Sequence, residues 1–209
     1  PNYIPIRVIS GLVVKEAAAY AKAHDIPAFM TEFGATNSQR SLTAAMQPAD
    51  ADLNGWTEWA YSGVGDITTA GNPNSEALVF NPALPPTGDN VNTANLTTLA
   101  EPYPQTISGT PNSFSFENGV FNFSYSTQKA DGSGSFPVGA QTDISVPAIV
   151  FPDGYQVSVT GGAGGSGPNA PVLGVSPHPG ASTLTVPWRP LAFPSAPHTP
   201  ETPPPAEAP

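Results

Sequence analysis

The sequence predicts a chain in two parts, an α/β segment followed by an all-β domain. Three observations lead there. Helical periodicity is confined to roughly the first quarter of the chain, where it alternates with two short apolar runs. From residue 113 onward the pattern becomes one of short strands with alternating apolar residues, separated by turn signals. Pro and Gly, 27 and 20 of the 209 residues, punctuate everything after the helical stretch; together they stay below the roughly 25–30% that marks a disordered chain.

In chain order, residues 10–24 predict a helix with Ser10 as N-cap and Val13, Ala17, Tyr20 and Ala21 on one face. It ends at His24–Asp25, ahead of Pro27, which cannot continue a helix. Residues 28–33 form a nearly continuous apolar run and predict a parallel strand buried on both faces. A second helix is expected over 38–47, capped by Ser38 and ending near Pro48. A strand follows over Trp56–Tyr61. Helix, strand, helix, strand with short loops is the order of an α/β fold with a parallel sheet.

Residues 64–112 are rich in Asn, Pro, Thr and Gly and read as mostly irregular, with one helical turn at Leu96–Ala100. Strands are expected at 113–117, 120–126, 142–146, 155–160, 172–175 and 183–188. Glu117-Asn-Gly-Val120 is a two-residue hairpin signal, since Asn-Gly tolerates the positive φ of a type I′ turn. These strands predict an antiparallel sandwich packed by Phe114, Phe116, Phe121, Phe123, Tyr125, Val157 and Val159. The glycine-rich stretch 161–167 opens no helix, so it reads as a hairpin loop and not a phosphate loop. Residues 190–209 are nearly all Pro, Ala, Thr, Ser and Glu and read as a disordered tail.

Composition excludes several functions. With 6 Lys and Arg against 16 Asp and Glu, a net charge of −10, the surface repels nucleic acid and anionic membranes. There are no cysteines, which removes disulfides, thiolate nucleophiles and thiolate metal sites. The three His lie far apart and suggest no metal site. No run approaches the ~20 apolar residues of a membrane helix. The chain starts at Pro1 without Met, so a missing signal peptide says little.

Chemistry is concentrated in two places. Glu32 ends an apolar strand, Phe29-Met-Thr-Glu-Phe-Gly34, where a carboxylate is costly without a partner. The strand alone supports two readings equally: a salt-bridged structural acid, or a carboxylate at the C-terminal end of a barrel strand, placed to attack an anomeric carbon. Trp59, near the end of the next strand, favours the second, because an indole beside a carboxylate makes a floor for a sugar ring. Trp56, at the start of that strand, reads as a core aromatic. Glu58 points to the opposite side of the strand from Trp59 and reads as a structural acid.

Met30-Thr-Glu-Phe-Gly-Ala-Thr36 and Gly55-Trp-Thr-Glu-Trp-Ala-Tyr-Ser62 resemble the last two barrel strands of glycoside hydrolase family 5. Among its branches the chain is most similar to the endoglycoceramidase-like enzymes, with further markers at Glu76–Val79, Pro85–Asn90, Pro102–Gln105 and Ser108–Pro111. The resemblance implies the C-terminal part of a (β/α)₈ barrel over residues 1–66, a linking segment over 67–112 and a C-terminal β-sandwich over 113–189. It implies that Glu32 is the catalytic nucleophile and that Trp59 lines the sugar site. The acid/base, a Glu after Asn on the fourth barrel strand, has no match here and is expected upstream. The expectation is then a secreted retaining glycosidase acting on glycolipids or oligosaccharides without a cofactor, inactive as this piece alone. The competing reading is a carbohydrate- or wall-binding sandwich with a Pro-rich spacer.

Overall fold

The computed structural model describes residues 6–65, 76–166 and 169–190. The expected tail beyond Pro190 and the loop carrying Asp66, Asn72 and Asn74 lie outside the described residues.

Helix α1 spans Ile6–Ala23, so it begins four residues before Ser10, which lies inside it and is no cap. Helix propensities differ by only tenths of a kcal/mol among such residues, so local sequence does not set this boundary. The buried face also differs from expectation. Val14 and Ala21 are buried, whereas Val13, Ala17 and Tyr20 are exposed. The buried stripe, with Gly11 in reach of Pro48, lies against the second helix. Asp25, at φ 53°, ends α1 with Ile26 N–H donating back to Ala21 O at 3.0 Å.

Strand β1 (Phe29–Gly34) leads to α2 (Gln39–Ala51), whose N-cap Ser38 accepts from Ser41 N–H. The helix passes through Pro48 instead of ending there. Proline removes one backbone donor, and burial of Ala49 and Asp50 beyond it accompanies the continuation. Strand β2 (Gly55–Trp59) pairs with β1 in parallel. The two form a sheet of their own among the described residues, so the expectation of a strand buried on both faces fails. Phe29 is 57% exposed, and Thr31 and Glu32 are exposed with it. One face is covered: Leu42 and Met46 of α2 pack with Leu99, Phe33, Trp56 and Leu78.

After a short 3₁₀ turn at Gly88–Asn90, α3 spans Thr93–Leu99, longer than the single turn expected. Strand β3 (Tyr103–Thr106) follows, within the segment read as a linker, so the sandwich starts before residue 113. Its strands continue as β4 (Thr110–Glu117), β5 (Val120–Ser126), β6 (Thr142–Ser145), β7 (Tyr155–Val157), β8 (Gly162–Gly164), β9 (Val172–Pro177) and β10 (Thr183–Pro190). One sheet has the order β4-β5-β10-β7, the other β3-β6-β9-β8. Asn118 and Gly119, at φ 53° and 75°, make the expected hairpin turn, with Glu117 paired to Val120. Strand β8 falls in the stretch read as a loop, since glycines carry no alternation signal.

The two sheets enclose one core. Phe121, Phe123 and Tyr125 from β5 meet Ile144 of β6, Leu173 and Val175 of β9, and Leu184, Val186 and Trp188 of β10. Phe114, Phe116, Val157 and Val159 pack at its edge. Trp188 stacks on Phe121 with centroids 4.3 Å apart and meets Phe151 edge-on at 6.1 Å.

Where the α/β segment meets the sandwich, Asp50 and Glu101 are buried together, 5% and 7% exposed. They line a cavity of about 530 Å³ between the starts of β1 and β2 and the sandwich residues Phe114, Phe123 and Pro147. Asp50 Oδ1 accepts from the Trp56 indole N–H at 3.2 Å. Its Oδ2 is buried without a donor among the described residues, and the Glu101 carboxyl stands in hydrogen-bonding reach of Asp50. Burial pushes Asp50 up to about 6. Burial and the neighbouring Asp50 charge push Glu101 up to about 9. Two carboxyl groups so placed hold one proton between them at neutral pH.

Raised pKa values mean that the folded state binds more protons than the unfolded one, so stability falls as pH rises through this window. The pair therefore contributes most to stability below about pH 4 and loses that contribution progressively toward pH 9. Glu58, pushed up to about 7 by burial, contributes with the same sign. Urea unfolding at a series of pH values should show a clearly smaller decline in Glu101→Gln, which keeps a donor for Asp50 but has no proton to lose. An unchanged slope in that variant would contradict the shared proton.

Candidate functional site

The site is built from the C-terminal ends of β1 and β2. The ladder pairs Phe29 with Gly55, Met30 with Trp56, Phe33 with Glu58 and Gly34 with Trp59. Between Met30 and Phe33, β1 holds one residue more than its partner, a bulge at Thr31–Glu32. Thr57 stands opposite this bulge and its hydroxyl donates to Thr31 O at 2.6 Å.

The bulge decides which way Glu32 opens. Phe33 packs edge-on against Trp56, ring centroids 5.3 Å apart, on the α2 side of the sheet. Trp56 and Glu58 are half-buried on that side, whereas Thr57 and Trp59 are exposed on the other. Thr31 and Glu32 are exposed together with the second group. By the alternation of the pleat, Glu32 and Trp59 share the open face. Trp59 is 36% exposed there.

Gly34 lets the two strand ends meet. It has φ +115°, and a Cβ on it would sit 2.7 Å from Trp59 O and 3.0 Å from Glu58 Oε1. Ala35 follows at φ 48° and donates its N–H to Trp59 O at 2.8 Å. The Trp59–Ala60 peptide is cis. Beyond it, Ala60 O and Tyr61 O accept from Leu78 and Val79 N–H at 3.1 and 2.8 Å, which docks the segment after residue 76 on the end of β2.

Glu58 lies on the other face from Trp59, as the alternation predicts. No partner holds it: Oε1 is buried without a hydrogen-bond donor among the described residues. Desolvation raises it to about 7. Trp56 is the core aromatic expected, with its N–H on Asp50.

Three polar residues of this region escaped the sequence. Asp50 and Glu101 are two of them. Asp50 falls past Pro48, where the helix was expected to have ended, and Glu101 stands beside the Pro102–Gln105 marker with no partner visible in sequence. The third is Asn95, fully buried in α3, within a run of Asn and Thr that resembles turn residues. Its only sequence signal is the Asn92/Asn95 spacing, which places a cap three residues before it. No group of His, Cys, Asp or Glu able to hold a metal occurs among the described residues, and no described helix is long and apolar enough to cross a membrane.

Comparison with known families places the second half of the chain. Residues 102–194 match the model of the glycoside hydrolase family 5 C-terminal domain. The match covers the strands of the sandwich, β3 to β10. The wider chain is similar in fold to solved glycosidases. It superposes on endo-glycoceramidase II from Rhodococcus sp. in its lactosyl-enzyme intermediate, with a TM-score of 0.60 and 21% identity, covering 88% of this chain and 38% of that one. The ganglioside GM3 complex of the same enzyme gives 0.59 and 19%, with coverage of 88% and 37%. Sterylglucosidase 1 from Cryptococcus neoformans gives 0.63 and 15%, with coverage of 89% and 32%. The chain therefore spans less than two-fifths of the length of these structures. Its sequence matches no curated protein. Residues 102–194 are thus similar to that C-terminal domain, and the wider chain shares the fold of these structures.

Gly34→Ala should cost about 2 kcal/mol or more of stability, because it adds backbone strain to a clash with Trp59 O. Gly65→Ala, at φ +80° with no atom of the described residues within 4 Å of its Cβ, should cost clearly less. Paired urea unfolding curves measure both; equal losses would mean that close approach at Gly34 is unimportant.

Proposed function

We propose that this chain is the C-terminal portion of a retaining glycoside hydrolase acting on β-glycosides, glycolipids among them, with Glu32 as nucleophile and Trp59 as the floor of the sugar site. The observation that carries the reading is the pairing of β1 with β2, which sets an exposed carboxylate and an exposed indole on one face at the ends of adjacent parallel strands. In a (β/α)₈ barrel that end of the strands is where active sites form. The match to a lactosyl-enzyme intermediate supports double displacement, and the match to a ganglioside complex supports a glycolipid substrate class.

In the proposed reaction a Glu32 carboxylate oxygen attacks the anomeric carbon and forms an ester bond to the sugar. The glycosidic C–O bond breaks, and the leaving oxygen takes a proton from a carboxylic acid supplied from outside these 209 residues. Water then attacks the same carbon, gives its proton to that second carboxylate and frees Glu32. A sugar-binding module without catalysis would leave the Glu32 and Trp59 arrangement without a role.

In the full-length protein, Glu32→Gln should retain the fold and lose activity by several orders of magnitude, since the amide is isosteric but not nucleophilic. Trp59→Ala should weaken turnover without abolishing it, and Glu58→Gln should matter less than Glu32→Gln. The 209-residue chain alone should be inactive. Steady-state hydrolysis of an aryl β-glucoside and of a glycolipid measures all four. Wild-type rates in Glu32→Gln would remove the nucleophile assignment, and activity of the chain alone would remove the need for the second carboxyl.

A further inference from the structure

We propose that Asn95, in the helix joining the α/β segment to the sandwich, is a positioning residue that holds the loop after β1 and through it the end of the nucleophile strand. The inference rests on the reading of Glu32 as nucleophile and names a residue, remote in sequence, on which the geometry of that group depends.

The loop needs holding. Gly34 and Ala35 are consecutive residues at positive φ, +115° and +48°. For alanine that region is disfavoured, so the local sequence has no preference for this path. Glu32 stands two residues ahead of Gly34, and Ala35 N–H is bound to Trp59 O. Whatever fixes residues 34–38 therefore fixes how the carboxylate and the indole stand to each other.

Asn95 is placed to do so. Its side chain is fully buried. Its Nδ2 donates to Thr36 O at 3.0 Å, to Glu76 O at 3.3 Å and to Asn37 Oδ1 at 3.4 Å. Its Oδ1 accepts from Gln39 Nε2 at 3.1 Å. One amide thus gathers the loop after β1, the start of α2 and the segment that docks on the end of β2. Asn92, the cap of the same helix, adds a bond from its Nδ2 to Asn37 Oδ1 at 2.8 Å. Only an amide has both donors and an acceptor in this shape: aspartate lacks the donors and leucine lacks both. The helix itself is anchored independently, through Leu99 against Leu42 and Met46.

A loop released from this clamp shifts the carboxylate by fractions of an ångström, enough to cost one to two orders of magnitude in a reaction that depends on alignment. The test follows the first chemical step directly, using 2,4-dinitrophenyl 2-deoxy-2-fluoro-β-glucoside on the full-length protein. Its leaving group departs without acid assistance, so trapping reports on the nucleophile alone. In the wild type, peptide mass analysis should find the sugar on the peptide containing Met30–Gly34. Asn95→Leu should slow the limiting trapping rate by about 10–100-fold with a smaller change in the inactivator's binding constant. Ala94→Gly, a destabilising change at an exposed position of the same helix, should keep the rate within about twofold. Asn95→Asp, which keeps the shape and the acceptor, should be slow at neutral pH and recover relative to wild type as the pH is lowered, because the protonated carboxyl regains one donor. Wild-type label on another peptide would sink the nucleophile reading itself. Label at Glu32 with equal slowing in Asn95→Leu and Ala94→Gly, or full speed in both Asn95 variants, would leave Glu32 in place and overturn the role of Asn95.

Discussion

The parallel ladder between β1 and β2 is the constraint on which the rest of the molecule depends. Four paired positions and one extra residue in β1 set Gly34 beside Trp59 and open Glu32 on the same side. A slip of β1 by one residue would turn Glu32 toward α2 and carry Phe33 onto the open face. Phe33 against Trp56 on the covered side guards the register, because both rings are anchored by α2 and α3. The hydroxyl of Thr57 holds the bulge from the other strand.

The sandwich has a core of its own. Where it meets the first segment, a polar pair is buried. Asp50 hangs on the indole of Trp56, in the strand that ends in Trp59, and meets Glu101 at the threshold of β3. Such a pair is weak as a source of stability, since removing two carboxyl groups from water offsets much of what they gain from each other. It stands where the sandwich meets the starts of the strands, while Asn95 stands at their opposite ends. Helix α3, lying between, is tied to both.

Much of this was legible in the sequence, and the failures have physical causes. The hairpin at Asn118–Gly119 and the alternation of β5 were readable because a turn that needs positive φ and a half-buried strand each leave a local mark. Glu32 drew attention as a carboxylate among apolar neighbours and Trp59 as an indole near the end of the next strand, and the structure sets the two on one face. The start of α1 and its buried face were not, since an alanine-rich helix is helical all round and only its contact with α2 selects Val14 and Ala21. Strand β8 was hidden by its glycines and β3 by its prolines. Asp50, Glu101 and Asn95 were hidden because their partners come from distant segments, and no spacing along the chain announces a shared proton or a fourfold amide.

The central claim is that Glu32 bonds to the sugar while Trp59 carries its face. A crystal structure of the full-length protein trapped with a 2-fluoro-β-glucoside tests it most directly. The account predicts continuous density between Glu32 and the anomeric carbon, with the ring lying against the indole of Trp59. A sugar bonded to another carboxylate, or bound at the sandwich and away from the ends of β1 and β2, would contradict it.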